Sequence, residues 1–378
     1  MKIHNIIPKK IDFNIDIIEN KKILENSILK KKIIVIGGAG TIGSNYIKQI
    51  LNFKPSKLVV VDINENGLTE LTRDLRSSNL LDYKPDYITY PLNLLSQTFD
   101  KIFNSEKWDI VSNFSAHKHV RSEKDKISVE ALIINNVFGA IKLLNLCEHN
   151  LPKYFFSVST DKAANPVNIM GASKSIMEKL ILSKMNKFRV STARFANVAF
   201  SNGSLLDGFI YRLNKKQPLS CPEDIKRFFV TPEQSGQICL LATFLGETGN
   251  IFFPKLDFYE DQIYFKDIAV SFLRENGYSP ELVKSEKEAK EFDFKKHTNK
   301  YPIYFFKTDT SGEKKFEEFY TEEEDYEVSI YSSLGFIKTH ETIISSEDIK
   351  IDFESVFRDP NAQKADIVRI IKKYVPDF

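Results

Sequence analysis

Residues 33–62 read IIVIGGAGTIGSNYIKQILNFKPSKLVVVD, and this stretch decides the fold of the chain. An apolar run at 33–36 enters a glycine-rich turn, and an amphipathic segment follows the turn. A second apolar run at 58–61 ends at Asp62. The order is strand, glycine turn, helix, strand and acidic residue, which predicts the first βαβ unit of an α/β domain.

The glycines are spaced for a turn that binds phosphate. Gly37, Gly40 and Gly43 recur every third residue. Glycine adopts the backbone angles of a tight turn, and without a Cβ its backbone can approach a pyrophosphate closely. The helix that begins at Thr41 and Ile42 directs its N–H groups and positive dipole end at such an anion. A glycine-rich turn in an ordinary α/β domain is the alternative interpretation.

Asp62 specifies the dinucleotide. It lies nineteen residues after Gly43. There it can accept hydrogen bonds from both ribose hydroxyls of an adenosine and would repel a 2′-phosphate, so we predict NAD rather than NADP. The predicted cofactor site also includes Ile63 and Asn93. Asn93 follows a third apolar run at 86–92 and can bond a ring nitrogen of adenine.

Strand and helix patterns alternate as far as residue 200, which predicts a doubly wound parallel sheet, the Rossmann fold. Further predicted strands are 108–114, 154–158 and 189–195, and predicted helices are 65–78, 128–148 and one after 170. The expected organisation is an N-terminal helical extension (1–30), an NAD-binding domain (31–200), a smaller mixed α/β substrate lobe that can interleave with it (201–345), and C-terminal helices (346–378).

The amino-acid composition argues against several classes of function. The chain has 53 Lys and Arg and 51 Asp and Glu, a net charge of +2, which gives no long-range field for nucleic acid or acidic membranes. Three cysteines without paired spacing argue against a disulfide framework or zinc site and favour a reducing compartment. No apolar run approaches the roughly eighteen to twenty residues that span a bilayer. We see no signal peptide and expect a cytoplasmic protein.

Polar residues follow the predicted fourth strand. They read SAHKHVR from Ser115 to Arg121. Two histidines at i and i+2 can suggest a metal pair, but Lys118 and Arg121 would repel a cation and no third ligand is clustered with them. We therefore predict no metal. Ligands of open α/β sheets bind at the carboxyl ends of strands, so we expect Ser115 and Ala116 to contact cofactor or substrate.

Six motifs together resemble a branch of the extended short-chain dehydrogenase/reductases, the nucleotide-sugar 4,6-dehydratases that act on UDP-N-acetylglucosamine. The similarity covers roughly residues 31–320 and is greatest to soluble forms that open legionaminic acid synthesis and to the catalytic domain of enzymes that open bacillosamine synthesis. The motifs are GGAGTIG, HKHVRSEKD, VSTDKAANPVNIMGASK, STARFANVAFSNGSLLDGF, RFFVTPEQSG and SGEK…FEEF.

The resemblance implies a lyase that uses NAD catalytically. Such enzymes oxidise carbon 4 of the sugar, eliminate water across carbons 5 and 6, and return the hydride to carbon 6. The implied product is a 4-keto-6-deoxy sugar nucleotide with the carbon 5 configuration kept.

The catalytic roles follow from the same resemblance. Met170 replaces the Tyr of the usual Y-x-x-x-K pair, as in the near relatives, and Lys174 remains to bind the nicotinamide ribose. A thioether cannot accept a proton, so our hypothesis is that the Thr160 hydroxyl and a water relay the carbon 4 hydroxyl proton. Asp161 is the implied acid for the carbon 6 hydroxyl, and Lys162 is the implied base at carbon 5.

The resemblance also implies the substrate contacts. Arg227 and Asn197 are expected at the diphosphate, and Lys118 and His119 near the sugar. Glu313, with Lys314, is expected to reach the nucleotide. Extended members of the superfamily commonly pair through two helices into a four-helix bundle, so a homodimer or larger homo-oligomer is expected.

Three alternatives stay open at this stage. A carbon 4 epimerase of the same fold would have no use for Asp161 and Lys162. A dehydratase that inverts carbon 5 is expected to keep Tyr where Met170 stands. A non-catalytic NAD-binding sensor is conceivable because that tyrosine is absent, although the joint retention of residues 160–162 and Lys174 argues against it.

Overall fold

A computed structural model describes residues 2–8, 11–119, 123–308 and 317–378. The chain divides into two compact units. The small unit comprises Met1–Asp12, Ala196–Ser235 and Lys255–Glu317, and the large unit comprises Phe13–Phe195, Gly236–Pro254 and Glu318–Phe378. The sequence analysis allows the substrate lobe to interleave with the NAD-binding domain. Both units are discontinuous, because late strands of the chain join the sheet of the large unit.

The strands of the described residues, in chain order, are β1 Lys32–Ile36, β2 Lys57–Asp62, β3 Asp86–Pro91, β4 Ile110–Asn113, β5 Tyr154–Val158, β6 Val190–Ala193, β7 Asn197–Val198, β8 Leu219–Pro222, β9 Lys226–Val230, β10 Ile251–Pro254, β11 Gln262–Tyr264, β12 Ser279–Val283, β13 Lys300–Phe306, β14 Tyr326–Glu327 and β15 Leu334–Ile337.

The helices of the same part of the chain are α1 Ile3–Ile6, α2 Asn14–Glu19, α3 Lys21–Ile28, α4 Thr41–Leu51, α5 Glu65–Ser77, α6 Gln97–Asn104, α7 Lys126–Ile133, α8 Gly139–Asn150, α9 Ile169–Leu182, α10 Leu205–Asn214, α11 Pro232–Phe244, α12 Phe265–Glu275, α13 Glu286–Lys290, α14 Ser346–Arg358 and α15 Lys364–Tyr374.

The large unit is built on a doubly wound sheet, as the sequence predicts. Over the described residues its strand order is β14-β15-β10-β6-β5-β4-β1-β2-β3, and the strands from β10 to β3 run parallel. β15 and β14 extend the sheet in antiparallel pairing. The central strands β1, β4, β5 and β6 are buried along nearly their whole length, as expected for a parallel sheet with helices on both faces.

Several predicted elements differ in their bounds. The strand predicted at 189–195 is β6, Val190–Ala193, and the strand predicted at 108–114 is β4, Ile110–Asn113. Trp108 precedes β4 and donates its indole N–H to the Phe103 carbonyl at 2.8 Å. The predicted helix 128–148 is α7 and α8 joined by a π-helical turn, Ile134–Phe138.

That continuous helical stretch has a further property. Lys126–Asn150 is, by length and composition, apolar enough to cross a membrane, although the sequence analysis expects no such run. Of its most apolar window, 56% is buried inside the protein. A buried core helix passes the same test, so this stretch is weak evidence for a membrane span.

The C-terminal helices contribute apolar side chains to the main core. Ile349 and Phe353 of α14 and Ile367 and Ile371 of α15 are fully buried. They share one hydrophobic cluster with α7, α8 and α9. Lys179 of α9 also donates to a carbonyl oxygen of α15 at 2.7 Å. The chain therefore covers this helical surface with its own C-terminal helices.

The N-terminal helices are anchored by a buried carboxylate. Asp16 of α2 is completely buried and accepts from the backbone N–H groups of Ser332 and Ser333 at 2.8 and 2.7 Å. The apolar side chains of α2 and α3 are only partly buried. Leu24 and Ile28 of α3 lie in the core, whereas Ile15 and Ile18 of α2 are exposed.

The small unit has two short sheets in its described part, ordered β11-β9-β7 and β12-β13-β8. Its core lies between these strands and helices α1, α10 and α12, with Phe209 and Phe272 fully buried at 5.8 Å between ring centroids. The charged run 283–300 contains the short helix α13, and nearly all of its side chains reach solvent.

All three cysteines of the chain are buried as free thiols: Cys147, Cys221 and Cys239. Burial raises the pKa of Cys221 to about 12, and it raises the pKa values of Cys147 and Cys239 as well.

We predict that α15 unfolds together with the sheet. Ile371→Ala should lower the free energy of unfolding by about 2–5 kcal/mol, because it leaves a cavity in the shared core. Urea denaturation followed by the fluorescence of the single Trp, Trp108, measures this. The matched control is Ile351→Ala on α14, whose side chain is 58% exposed and should cost less than about 0.5 kcal/mol. Equal losses in the two variants would contradict the prediction.

Candidate active site

The turn after β1 lies where the strand order reverses, because β1 has β2 on one side and β4 on the other. Gly37 has a φ of +74°, and a Cβ on it would lie 2.5 Å from the backbone nitrogen of Ser115. Only glycine adopts this angle without strain and lets the two chain segments meet so closely. The predicted cofactor residues of both segments are thereby brought together.

The next glycines shape the start of α4. A Cβ on Gly43 would lie 2.5 Å from the carbonyl oxygen of Gly37, so this glycine permits close packing of helix against turn. A Cβ on Gly40 would approach only that same oxygen, at 3.4 Å. α4 begins at Thr41, before Ile42, and has no side-chain cap. The open surface at Gly40 and the uncapped helix start fit the pyrophosphate of a dinucleotide.

The residues predicted for the adenosine lie at neighbouring strand ends. Asp62 ends β2, and its carboxylate accepts from the backbone N–H groups of Ala39 at 3.0 Å and Asn64 at 2.9 Å. Ile63 is 74% exposed beside it, and Asn93 is exposed after β3. The carboxylate thus holds the glycine turn and remains partly accessible. The NAD contacts of these residues stay a prediction.

The end of β5 carries the predicted acid and base in direct contact. The Nζ of Lys162 lies 3.1 Å and 3.3 Å from the two carboxylate oxygens of Asp161. The hydroxyl of Thr160 donates to Asp161 Oδ1 at 2.6 Å. Asp161 is 2% exposed, so this small cluster is shielded from solvent on the carboxylate side.

Lys174 lies on α9, and its side chain contacts the end of β5, close to this cluster in the chain. It is buried, and its Nζ donates to the carbonyl oxygen of Val158, at the end of β5, at 3.0 Å. Burial lowers the pKa of Lys174 to about 8, and the carboxylate of Glu178 partly opposes that shift. Met170, at the position of the usual tyrosine, is buried in the main core. A Cβ on Gly171 would overlap the carbonyl oxygen of Lys162, so α9 packs directly on the loop of residues 160–162.

A buried ion pair supports both elements, and the sequence analysis missed it. Glu178 accepts from the Ser159 hydroxyl at 2.5 Å and from Arg194 Nη2 at 2.7 Å. Arg194 also binds Glu324 at 2.9 Å. Glu178 is the only acidic residue of α9 and lies one turn after Lys174, which was the available signal. The network joins the end of β5, α9 and the chain that follows β6.

A second missed residue is Asn136, in the π-helical turn. Its side chain accepts from the His117 N–H at 2.8 Å and donates to the His117 carbonyl at 2.9 Å and to the Ser173 hydroxyl at 3.0 Å. It therefore fixes the start of the segment that bears Lys118 and His119, whose side chains are exposed. Polar residues inside a predicted apolar helix were the signal, since π-turns often occur at functional sites.

In the small unit, the structure brings together the two residues predicted for the diphosphate. Arg227 Nε lies 3.0 Å from Glu317 Oε1, and Asn197 Nδ2 donates to Glu317 Oε2 at 3.0 Å. Arg227 is 5% and Glu317 2% exposed. The sequence analysis did not single out Glu317, which belongs to the FEEF part of a quoted motif. Glu313, with Lys314 and Arg121, lies outside the described residues.

No group of three or more His, Cys, Asp or Glu side chains suited to a metal occurs within 2–8, 11–119, 123–308 and 317–378. The two histidines considered as a metal pair, His117 and His119, are separated by Lys118, whose positive charge would repel a cation.

A family model described as "Polysaccharide biosynthesis protein" matches residues 33–338. The chain belongs to this family. The uncharacterized membrane protein MJ1061 of Methanocaldococcus jannaschii is 28% identical over 341 residues, 86% of this chain and 94% of that protein. Longer family relatives are matched over less than half their length: the chain covers 43% of the probable polysaccharide biosynthesis protein EpsC of Bacillus subtilis.

Two named enzymes are also similar to this member of the family. A UDP-N-acetylglucosamine 4,6-dehydratase (inverting) of Campylobacter jejuni is 29% identical over 235 residues, 60% of this chain and 67% of the enzyme. A UDP-glucose 4-epimerase of Rickettsia prowazekii is 28% identical over 235 residues, 60% of this chain and 66% of the enzyme. The family thus has nucleotide-sugar-modifying enzymes of both kinds among its relatives.

Several solved structures share the fold of this chain. Pen from Bacillus thuringiensis superposes with a TM-score of 0.66 at 21% identity, covering 87% of this chain and 98% of Pen. A UDP-glucuronic acid 4-epimerase from Bacillus cereus, solved with UDP-glucuronic acid and NAD, gives 0.57 at 19% identity, covering 76% and 90%. At these identities the likeness shows the fold alone.

We predict that Lys174 makes stability depend on alkaline pH. Its pKa is about 8 when folded and about 10.4 when unfolded, so the unfolded state holds more protons between these values. The free energy of unfolding should therefore rise with pH, by about 2 kcal/mol between about pH 7.5 and 9.5, relative to Lys174→Met.

Urea denaturation of both proteins at the two pH values measures this difference. Lys153→Met, at a lysine whose side chain is 63% exposed, is the control and should keep the wild-type slope. Parallel pH dependences of wild type and Lys174→Met would show that Lys174 keeps an ordinary pKa.

Proposed function

We propose that this chain is an NAD-dependent nucleotide-sugar 4,6-dehydratase, a hydro-lyase that acts on UDP-N-acetylglucosamine. The observation that carries the proposal is the contact between a buried carboxylic acid and an amine at the end of β5: Asp161 and Lys162, 3.1 Å apart. Elimination of water needs an acid for the departing hydroxyl and a base for the neighbouring proton. Membership of the family and the similarity to a named 4,6-dehydratase support the substrate class.

The cofactor has a fitting cradle at Gly37, Gly40 and the start of α4, with Asp62 for the adenosine ribose. When bound there, NAD supplies the acceptor of the carbon 4 hydride and its donor to carbon 6. Lys174, held by the Val158 carbonyl beside the strand end, is the residue we assign to the nicotinamide ribose.

The proton chemistry is assigned to residues 160–162. The carbon 4 hydroxyl proton leaves through Thr160, whose hydroxyl already donates to Asp161 at 2.6 Å. Asp161 delivers a proton to the departing carbon 6 hydroxyl, which leaves as water. One proton therefore enters Asp161 and one leaves in each turnover. Neutral Lys162 takes the carbon 5 proton and later returns it, so the net change is the loss of one water.

The configuration at carbon 5 is a separate part of the proposal. The matched Campylobacter dehydratases are named inverting. We propose retention here, because a single base, Lys162, would remove and return the proton from one side. Met170 supports this assignment, because it cannot replace the usual tyrosine as a second proton donor.

We predict that Lys162→Met abolishes product formation and leaves NAD affinity within about twofold, because the amine serves only the elimination step. Incubation with UDP-N-acetylglucosamine, followed by alkaline absorbance of the 4-keto product and NMR at carbon 5, measures both yield and configuration. Lys153→Met is the exposed-lysine control and should keep full activity.

Substrate deuterated at carbon 4 should give a product with deuterium on the methyl group. Wild-type turnover by Lys162→Met would refute the role of Lys162, and a product without methyl deuterium would refute the dehydratase.

The second candidate is a carbon 4 epimerase, favoured by the similarity to UDP-glucose 4-epimerases. It needs only the redox step at carbon 4, so the contact between Asp161 and Lys162 would have no task. The same incubation separates the candidates, because an epimer gives no alkaline absorbance. A non-catalytic NAD-binding sensor would leave the sugar nucleotide unchanged.

We also propose that a homo-oligomer of this chain pairs through a surface other than α7–α9. Ile371 and Phe353 of the C-terminal helices already fill the apolar side of that surface. Light scattering on the purified chain and on an Ile127→Asp variant, which places a charge at an exposed position of α7, measures this. The proposal predicts equal masses for the two folded proteins, whereas pairing through α7–α9 predicts a change.

A further inference from the structure

The N-terminus of α9 is capped by a residue distant in sequence. Glu123 accepts from the N–H groups of Ile169 and Met170 at 3.0 and 2.6 Å. The Asn168 side chain accepts from the Gly171 N–H at 2.8 Å, and its carbonyl accepts from the Ala172 N–H at 3.0 Å. The N–H groups of the first three residues of α9 are thus bonded to side chains, and the Ala172 N–H makes the first bond within the helix.

The local cap, Asn168, is the type of residue that most helices use. Glu123 adds a carboxylate from 46 residues away, at the positive end of the helix dipole. It comes four residues after His119 in the sequence, so it links the segment of Lys118 and His119 to the helix that carries Lys174.

Glu123 is itself held in place from outside the site. Lys364, the first residue of α15, donates its Nζ to the carbonyl oxygen of Glu123. The carboxylate is half-buried. Glu123 therefore stands between the C-terminal helices and the start of α9.

A displacement of α9 would directly move the loop of residues 160–162. Gly171 packs against the carbonyl oxygen of Lys162 so closely that no Cβ fits between them. Lys174, one turn further along, is bonded to the end of β5. The position at which α9 begins therefore sets the placement of Lys174 relative to Asp161 and Lys162.

We propose that Glu123 is a positioning residue of this active site: its carboxylate fixes the start of α9 and thereby the alignment of Lys174 with the acid and base of residues 161–162. The effect on catalysis rests on the proposed dehydratase reaction, whereas the alignment of Lys174 rests only on the NAD-binding part of the proposed function.

The test replaces Glu123 by Gln, which keeps one acceptor oxygen and leaves one of the two backbone N–H groups without a partner. We expect kcat for the 4-keto product to fall about 10- to 100-fold, because small displacements of aligned groups cost that much. The KM for the sugar nucleotide should change less than about threefold, and the NAD affinity should fall several-fold.

The matched control is Asp125→Asn, the same chemical change two residues away. Asp125 caps α7 by accepting from the N–H and the hydroxyl of Ser128, both at 2.8 Å. Both variants should lower Tm by about 2 °C as cap losses. Only Glu123→Gln should change kcat and NAD affinity. Equal kcat and NAD affinity in the two variants would reduce Glu123 to a simple helix cap and overturn the proposal.

A second variant decides the matter if Glu123→Gln does not fold. Lys364→Ala removes the support of Glu123 from α15 and should lower kcat and NAD affinity about threefold, whereas Lys372→Ala, at an exposed position of the same helix, should change neither. Identical values for these two variants would overturn the proposal. If the wild-type chain makes no 4-keto product, the proposed function fails, and the NAD affinities alone still test the positioning role.

Discussion

The backbone contact between the turn after β1 and the chain that leaves β4 is the constraint on which the site depends. No side chain fits between Gly37 and Ser115, so the two segments meet at the point where the sheet reverses its order. Connections on either side of such a point diverge to opposite faces and leave a crevice at the strand ends. The Asp62 carboxylate binds the same turn from β2, so three strand ends converge there.

Local signals explain what the sequence predicted. Strand-length apolar runs and glycine spacing gave the parallel sheet and its cofactor turn, because both depend on neighbouring residues alone. Such local signals could not predict the discontinuous segments of the two units. Ile251–Pro254 and Leu334–Ile337 are four-residue runs, and nothing near them indicates which sheet they join. The buried Asp16 is a similar case, since its partners lie more than 300 residues away.

In the candidate site, too, local sequence predicted some residues, whereas others depend on contacts with remote segments. Thr160, Asp161 and Lys162 are adjacent in sequence, and Lys174 lies on the next helix, so a motif could identify them together. Their supports come from remote chain segments. Buried charges such as Glu178 need partners to offset the cost of desolvation, and its partner Arg194 is 16 residues away on another strand end. The charged side chain on an apolar helix was visible in the sequence, but its partner was not.

The burial of the three cysteine thiols has a practical consequence for labelling. Thiolate, not thiol, is the nucleophile, and burial raises the pKa of each native cysteine of this chain. Alkylating reagents at neutral pH should therefore leave the folded chain unmodified. A single cysteine introduced at the fully exposed Ile343 would then be a unique attachment point for a fluorophore, with no need to remove the natural residues.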